Sequence, residues 1–364
     1  MVQKTLQRVR SFVQKYERYL APAALVVGFG IDNLVFTRVD VLWNNLILIG
    51  YLLLAACGIA LSHALEELGF KHKVLQTVAA VMPIVVQYAF GALFSALIVF
   101  YSRSASFAFS WVFVLLLVGF LLFSETFSHN YRKFRYQMVL LFFLLLTFNA
   151  FFIPVIIGHI GHAVFIGSAA ASALIMAGYI YFLRRFVPKR VAESRRFLSR
   201  AIITIVVVFL GLYAINAIPP LPLSLEEAEV AHTIVRKGDT YMVTHEAKPW
   251  YVFWERYSTT YHSLPGEPVY VFTSVFIPTK ISFSLKHEWQ RYDEVDKRWI
   301  TMSTVAFPVS GGRDGGYRGY TMKSNVRPGS WRVNVRTSYG VVVGRVDFKV
   351  ISVNEAPTLT TVAY

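Results

Sequence analysis

Five residues suited to recognition crowd into a short glycine-rich stretch, GGRDGGYRGY at 311–320: Arg313, Asp314, Tyr317, Arg318 and Tyr320. Guanidinium forks match carboxylate and phosphate oxygens, and tyrosines add a flat apolar face with a hydroxyl tip. Together they would present a polar ligand surface on a loop. The same glycines permit positive φ and read equally as turn geometry in a hairpin between a strand ending near Val309 and one starting near Tyr317. "RPGSW" (327–331) reads as a second hairpin turn.

A second group of polar residues lies at the ends of long apolar runs: Asp32, Asn45, Asn149, His159, His162 and Asn216. If the runs are neighbouring membrane helices, these residues line an outward-facing polar pocket. An ionised Asp within a bilayer costs roughly 2.5–3.5 kcal/mol, so Asp32 requires water or a partner such as Arg38 or a histidine. The plainer reading makes Asp32 shallow enough to reach the headgroups and the asparagines packing glue between helices. His159 and His162, at i and i+3, have the spacing of two metal ligands, but no third ligand lies nearby in sequence. His63, His72 and His129 fall in or beside basic loops, not at equal depth on facing helices as a haem requires.

Other chemistry is not visible in the chain. There is no serine elbow, Walker loop, HExxH motif or nucleotide-binding glycine fingerprint. Glu288, Asp293, Glu294 and Asp296 cluster around a turn and read as a solvated loop, so paired carboxylates for acid–base work are not apparent. The single cysteine, Cys57, lies inside an apolar run, which excludes a disulfide framework or thiolate metal site in the tail. We expect no catalysis, no metal and no cofactor. The aromatic segment PWYVFWERYSTTYH (249–262), with Trp250, Tyr251, Phe253, Trp254, Tyr257 and Tyr261, reads as sheet core, as an interfacial belt, or as a stacking platform for glycan.

The elements that must position these residues follow from hydropathy. Of 364 residues 55% are apolar and 16% charged, too apolar for an ordinary soluble pair of domains. Seven runs approach or exceed the length needed to cross a ~30 Å hydrocarbon core: 19–36, 41–62, 74–100, 107–124, 138–158, 163–183 and 201–218. The third contains Pro83, a candidate kink. In the sixth, Ala169, Ala173 and Ala177 are spaced for close helix approach. Residues 1–18 repeat apolar and basic positions at helical spacing and read as a cytoplasmic amphipathic leader. Prolines in NAIPPLPLSLEE (216–227) end the helical part, giving a domain of 19–220 and a second of 221–364.

The net charge of +15 divides unevenly: 19 Lys+Arg against 7 Asp+Glu up to residue 225, and 17 against 14 beyond it. The excess therefore belongs to the apolar part, where it sets membrane topology and does not point to nucleic acid. With the N-terminus inside, the inner segments carry 17 basic residues against Arg38 and Arg103 outside. Seven spans then place the tail across the membrane from a cytoplasmic N-terminus.

The tail alternates with period two. Ile281, Phe283, Leu285, His287 and Trp289 share one face; so do Trp331, Val333 and Val335, and Val346, Phe348 and Val350. Further strands are expected near 230–236, 249–256, 268–276 and 298–307, giving seven or eight strands in an antiparallel sandwich. The motifs HEW (287–289), YRGYTMK (317–323), PGSWRVNV (328–335) and GRVDFKV (344–350) resemble a bacterial exported domain, domain of unknown function 2914. The whole arrangement resembles an uncharacterised multi-span inner-membrane family carrying that domain, with a departure at 317–321, where the usual Trp-Arg pair reads Tyr-Arg-Gly-Tyr. The resemblance implies an envelope location and a β fold, and no reaction.

The expectation is seven transmembrane helices followed by an exported, periplasmic β-sandwich. The protein would be a binding or assembly module of the inner membrane whose partners are the bilayer and an envelope glycan, lipid or periplasmic protein. The alternative is a transporter or lipid-handling protein using the helical polar pocket.

Overall fold

The structure is a computed structural model. It describes residues 29–36, 41–69, 73–104, 111–126, 133–159, 161–215, 217–218, 223–238, 240–247, 258–276, 282–310, 317–338, 340 and 342–364. The amphipathic leader, Arg313, Asp314, Asn216, the expected strand at 249–256 and the aromatics Trp250 to Tyr257 lie outside these residues.

The N-terminal part is helical. Residues 29–35 (α1) are followed by α2 (Leu42–Leu68), α3 (Lys73–Ser104), α4 (Trp111–Thr126), α5 (Phe134–Ile157), α6 (His162–Leu183) and α7 (Pro188–Ala214). Gly69, at φ 62°, ends α2 in the left-handed conformation that glycine adopts without strain. Pro188 opens α7 at the position where its missing N–H is not needed. The 32-residue α3 includes Pro83.

Five of these helices, all but α1 and α4, are long and apolar enough to cross a membrane. The described part of α4 is 16 residues long, and the first expected run lies mostly outside the described residues. In α7 only 11% of the most apolar stretch is buried. Ile203 and Val207 are more than 60% exposed there, apolar surface of the kind a bilayer covers.

By backbone contacts the chain separates into two compact units. One is Met1–Phe100, Leu116–Phe148 and Ile175–Ile202; the other is Tyr101–Leu115, Asn149–Leu174 and Ile203–Tyr364. Within the first, Phe94 packs against Phe120 and Phe143, joining α3, α4 and α5. A Cβ on Gly58 would stand 2.7 Å from Val86 Cγ2, so α2 and α3 approach closely at this glycine. The expected small-residue contact on α6 is realised differently. Ala169 is buried but Ala177 is exposed, and Ser168 and Ser172 are the fully buried small residues. Tyr179 donates a 2.6 Å bond to the Ala56 carbonyl, tying α6 to α2.

The second unit contains the β domain. Among the described residues ten strands form it: β1 (Ser224–Lys237), β2 (Thr240–Glu246), β3 (Thr260–Ser263), β4 (Val269–Phe276), β5 (Ser282–Asp293), β6 (Arg298–Ser310), β7 (Tyr317–Lys323), β8 (Gly329–Thr337), β9 (Val342–Ser352) and β10 (Leu359–Ala363). They make two five-stranded sheets, ordered β10-β2-β1-β4-β7 and β3-β9-β8-β5-β6. The sheets pack face to face through Ala228, Val230, Val269 and Val271 of the first and Trp289, Trp331, Val333, Val346 and Phe348 of the second. The expected period-two faces hold: Leu285, His287, Trp289, Val333, Val335 and Val346 are fully buried.

Two expectations are corrected. The sandwich is not wholly antiparallel, because the short β3 runs parallel to β9, with Tyr261 opposite Val350. The glycine-rich stretch is not a hairpin. β6 edges the second sheet and β7 edges the first, so 311–316 connects the two sheets, and RPGSW leads back from β7 to β8. A run of two-residue alternation identifies strands but carries no information about which sheet each joins, so strands adjacent in sequence look paired when they are not. Gly329, at φ 127°, supplies the backbone conformation this return requires.

Candidate ligand-binding face of the β domain

The outward face of the second sheet carries a continuous polar network. β5, β8 and β9 are adjacent, and register places Gln290 opposite Arg332, Glu288 opposite Asn334, and Asn334 opposite Arg345. Arg332 Nε donates to Gln290 Oε1 at 2.6 Å, and Asn334 Nδ2 donates to Glu288 Oε2 and Gln290 Oε1 at 3.0 and 3.2 Å. Arg345 Nε donates to Asn334 Oδ1 at 2.8 Å. Arg336 Nε lies 2.9 Å from Glu288 Oε2. Asn334, on the face opposite Trp331, Val333 and Val335, is nevertheless fully buried at the centre of this network. Its short amide lies beneath the longer arginine side chains, whose stems cover surface while their heads reach outward.

At the β6 end Arg332 stacks over Trp299, its guanidinium carbon 4.2 Å from the ring centroid. Burial, reinforced by the charge of Arg345, lowers Arg332 to about 10. Burial pushes Asp347 up, with Arg345 and Arg332 opposing it. Three arginines thus share two carboxylates, Glu288 and Asp347, with the guanidiniums held in place by side-chain amides. Such a face is preorganised for a planar anionic group.

A second cluster links the two sheets. His232 sits where the β1–β2 register shifts between Ala231 and Thr233, a bulge that re-aims its side chain. Its Nδ1 is 2.7 Å from Glu267 Oε1 and its Nε2 3.3 Å from Glu246 Oε1. Glu246 also receives the backbone N–H and the Nδ1 of His262 on β3. Tyr261 stacks on His232 at 4.3 Å. Burial pulls His232 down, but hydrogen bonds to Glu246 and Glu267 outweigh it and the net direction is up. For Glu246, burial raises the carboxyl while the bonds from His232 and His262 more than offset it, and the net direction is down. The arrangement is a hydrogen-bonded chain, Glu267–His232–Glu246–His262, running from a buried imidazole to a half-exposed one. Spacing in the sequence does not make this grouping of two carboxylates around two histidines apparent. Its hydrogen-bonded pairs are 14 to 35 positions apart in sequence, so no local spacing marks it.

The residues expected to carry function are dispersed. Tyr317 packs into an interior cluster with Leu223, Val275 and Leu285. Arg318 and Tyr320 alternate to the opposite face of β7, opposite Ser274 and Phe272 of β4. Tyr320 makes ring contacts with Tyr241 and Tyr270. In the helical part, Asp32 is half-buried and Asn45 donates to the Val41 carbonyl at 3.2 Å. Asn149 donates to Ser172 Oγ at 2.9 Å, joining α5 to α6 as packing glue. His159 and His162 are exposed; the first contacts the Gly158 carbonyl and the second the Tyr213 ring. Among the described residues no three His, Cys, Asp or Glu are grouped to hold a metal ion.

The motifs behind the family resemblance have a structural explanation. His287 Nε2 and Nδ1 each lie 2.9 Å from a threonine hydroxyl, Thr273 and Thr321, and Trp289 Nε1 donates to Thr321 at 3.0 Å. Trp331 Nε1 donates to the Arg327 carbonyl. These residues build the sheet-to-sheet interior.

Residues 283–350, which span β5 to β9, match a family described as "Protein of unknown function (DUF2914)". No curated protein matches the chain. Among solved structures, Pseudomonas fluorescens alkylpurine DNA glycosylase AlkC bound to DNA containing an abasic site analog aligns at 10% identity over 84% of this chain and 98% of its own. Its TM-score of 0.22 carries no argument about fold or function. The matched family segment contains both the buried His287–Thr321 interior and the arginine face of β5, β8 and β9.

Proposed function

We propose that this chain is a membrane-anchored binding module with no catalytic role. Its helical part holds the β domain at the membrane, and the β domain presents the arginine face to an anionic envelope ligand, a carboxylate- or phosphate-bearing glycan. The anchor would consist of seven spans with the N-terminus in the cytoplasm and the β domain in the periplasm. Five long apolar helices and the basic bias of the inner segments support that topology. The observation that carries the ligand reading is the outward network centred on Asn334, which fixes Arg332 and Arg345 beside the Trp299 ring. An aromatic ring beside clustered cations suits a sugar bearing an acid group.

The test is binding of the detergent-solubilised chain to a uronic-acid oligosaccharide and to a neutral one of equal length. Preferential binding of the acidic sugar, lost in Arg332→Gln and Arg345→Gln, supports the reading. Equal affinity for both sugars, or unchanged binding in both variants, ends it. A transport function through the helical polar residues has less support, because the Asn149 amide is already engaged by Ser172.

A further inference from the structure

We infer that the cleft between the first turns of α5 and α7 is a binding site for an anionic phospholipid, its phosphate on the basic rim and its acyl chains along the aromatic wall. The cleft has a volume of about 640 Å³, within the range of small-molecule sites. Lys133, Arg135 and Arg190 line it with one carboxylate, Glu193, and Glu66 outside the lining pairs with Arg190. Phe134, Val139 and Phe197 supply the apolar wall.

The cations are held in place by the protein. Arg135 donates through Nε to Ser194 Oγ at 3.2 Å and through one terminal nitrogen to the Glu193 carbonyl at 2.8 Å, and lies over the Phe197 ring at 5.6 Å. Among the described residues these are two of the five N–H donations its guanidinium can make. Arg190 is anchored by Glu66 at 2.8 Å and by His63. His63 in turn faces Gln137 Oε1 at 2.7 Å, so the α2–α5 contact supports the rim. α5 turns from Phe134-Arg135 into an apolar run, and α7 changes from RRFLSR to AIITIVVVF just beyond Phe197. Cations at that change of polarity stand at headgroup depth, and basic pockets between helices on the inner side suit anionic headgroups. The inference rests on the membrane reading of the helices.

The experiment uses the full chain in neutral detergent, with dioctanoyl phosphatidylglycerol, dioctanoyl phosphatidylcholine and inorganic phosphate as separate probes. Native mass spectrometry counts retained lipid, and thermal melting reports stabilisation. Phosphatidylglycerol alone should be retained and raise Tm. Lys133→Gln and Arg135→Gln should each weaken it about fivefold, whereas Arg185→Gln, a basic residue outside the cleft, should leave it unchanged. Val139→Trp should displace the lipid with every charge intact. Lys133→Gln disturbs none of the side-chain bonds described, so it keeps the test valid if Arg135→Gln does not fold. Equal retention of phosphatidylcholine, equal stabilisation by inorganic phosphate, or an equal loss in Arg185→Gln would each overturn the site. A chain that stays monodisperse without detergent would instead overturn the membrane reading beneath it.

Discussion

His287 Nδ1 lies 2.9 Å from Thr321 Oγ1, a histidine of one sheet bonded to a threonine of the other in the middle of the sandwich. Thr321 also receives the Trp289 indole N–H, and Thr273 closes the second imidazole nitrogen. A fully buried imidazole between two hydroxyls is neutral, and its burial lowers its pKa to about 3.

That burial predicts an acid-labile β domain. Above 6.5, the ordinary histidine value, neither the folded nor the unfolded chain protonates this site. Between 6.5 and about 3 the unfolded chain takes up a proton that the folded chain refuses, so stability falls with pH. The full window is worth on the order of 5 kcal/mol. Thermal melting from pH 7 to pH 4 should show this decline in wild type and a shallower one in His287→Gln. Parallel slopes would rule out His287 as the source.

The His232–Glu246 pair predicts a different pH profile. His232 is raised above its ordinary value, so its contribution is complete below 6.5 and fades as pH rises through the raised pKa. Glu246 is lowered, so its contribution is complete above 4.5 and fades as pH falls through the lowered one. Between 4.5 and 6.5 both act. Glu246→Gln should cost about 1–3 kcal/mol and reduce, but not abolish, the loss of stability above pH 6.5, because Glu267 still holds His232. Melting of both forms at pH 6.5 and 8.5 decides the point: a variant that keeps the wild-type decline would show that the decline arises elsewhere.

Much of the β domain is legible in the sequence because alternation is a local signal. Trp331, Val333 and Val335 must share a face once the segment is a strand, and they do. Pairing is not local. Nothing in the spacing of Ser310 and Tyr317 says that a connection leaves one sheet for the other. The arginine face is half visible, since Arg332 and Arg345 fall on the expected outer side, but their meeting at Asn334 depends on β8 lying beside β9. The glycine-rich candidates are neighbours in sequence, and strand alternation then sends Tyr317 inward and Arg318 outward. Among the helices, composition marks seven apolar runs, five of which the described residues show as helices long enough to cross a membrane, yet the His63–Gln137 contact joins residues 74 positions apart.

Asn334 should matter more to the arginine face than its size suggests. Its amide donates to Glu288 and Gln290 and accepts from Arg345, all while fully buried. Asn334→Ala removes these bonds and leaves buried partners unsatisfied, a cost of about 1–3 kcal/mol. Asn334→Asp keeps the acceptor for Arg345 but sets a carboxylate against Glu288. We expect the alanine variant to fold less stably and to bind the acidic oligosaccharide more weakly. Binding unchanged in a folded Asn334→Ala would show that the arginines hold their positions without it.

A tight approach of backbone to side chain in the β domain yields a prediction independent of ligand and pH. Gly344, on β9 opposite Val335, stands against Leu225 at the start of β1; a Cβ built on it would lie 2.5 Å from Leu225 Cδ2 and 2.7 Å from Leu225 Cβ. Gly344 is not among the glycines with positive φ, so the objection to alanine is steric rather than conformational. Gly344→Ala must push β1 and β9 apart, at an overpacking cost of about 1–3 kcal/mol, since a new rotamer would move Leu225 Cδ2 but not its Cβ. Leu225 touches two interior clusters, one with Trp289 and Trp331 and one with Val335 and Val343, so the disturbance spreads into both. Shortening the obstacle should relieve the part of the clash due to Cδ2 and Cγ, while the Cβ stays. Leu225→Ala destabilises alone through lost burial, yet in the Gly344→Ala background its added cost should shrink. The double-mutant cycle measures this coupling from four melting curves. Strict additivity would mean that β1 shifts to accommodate the added methyl without strain. A coupling of about 1 kcal/mol or more would place the limit on this glycine in the Leu225 side chain.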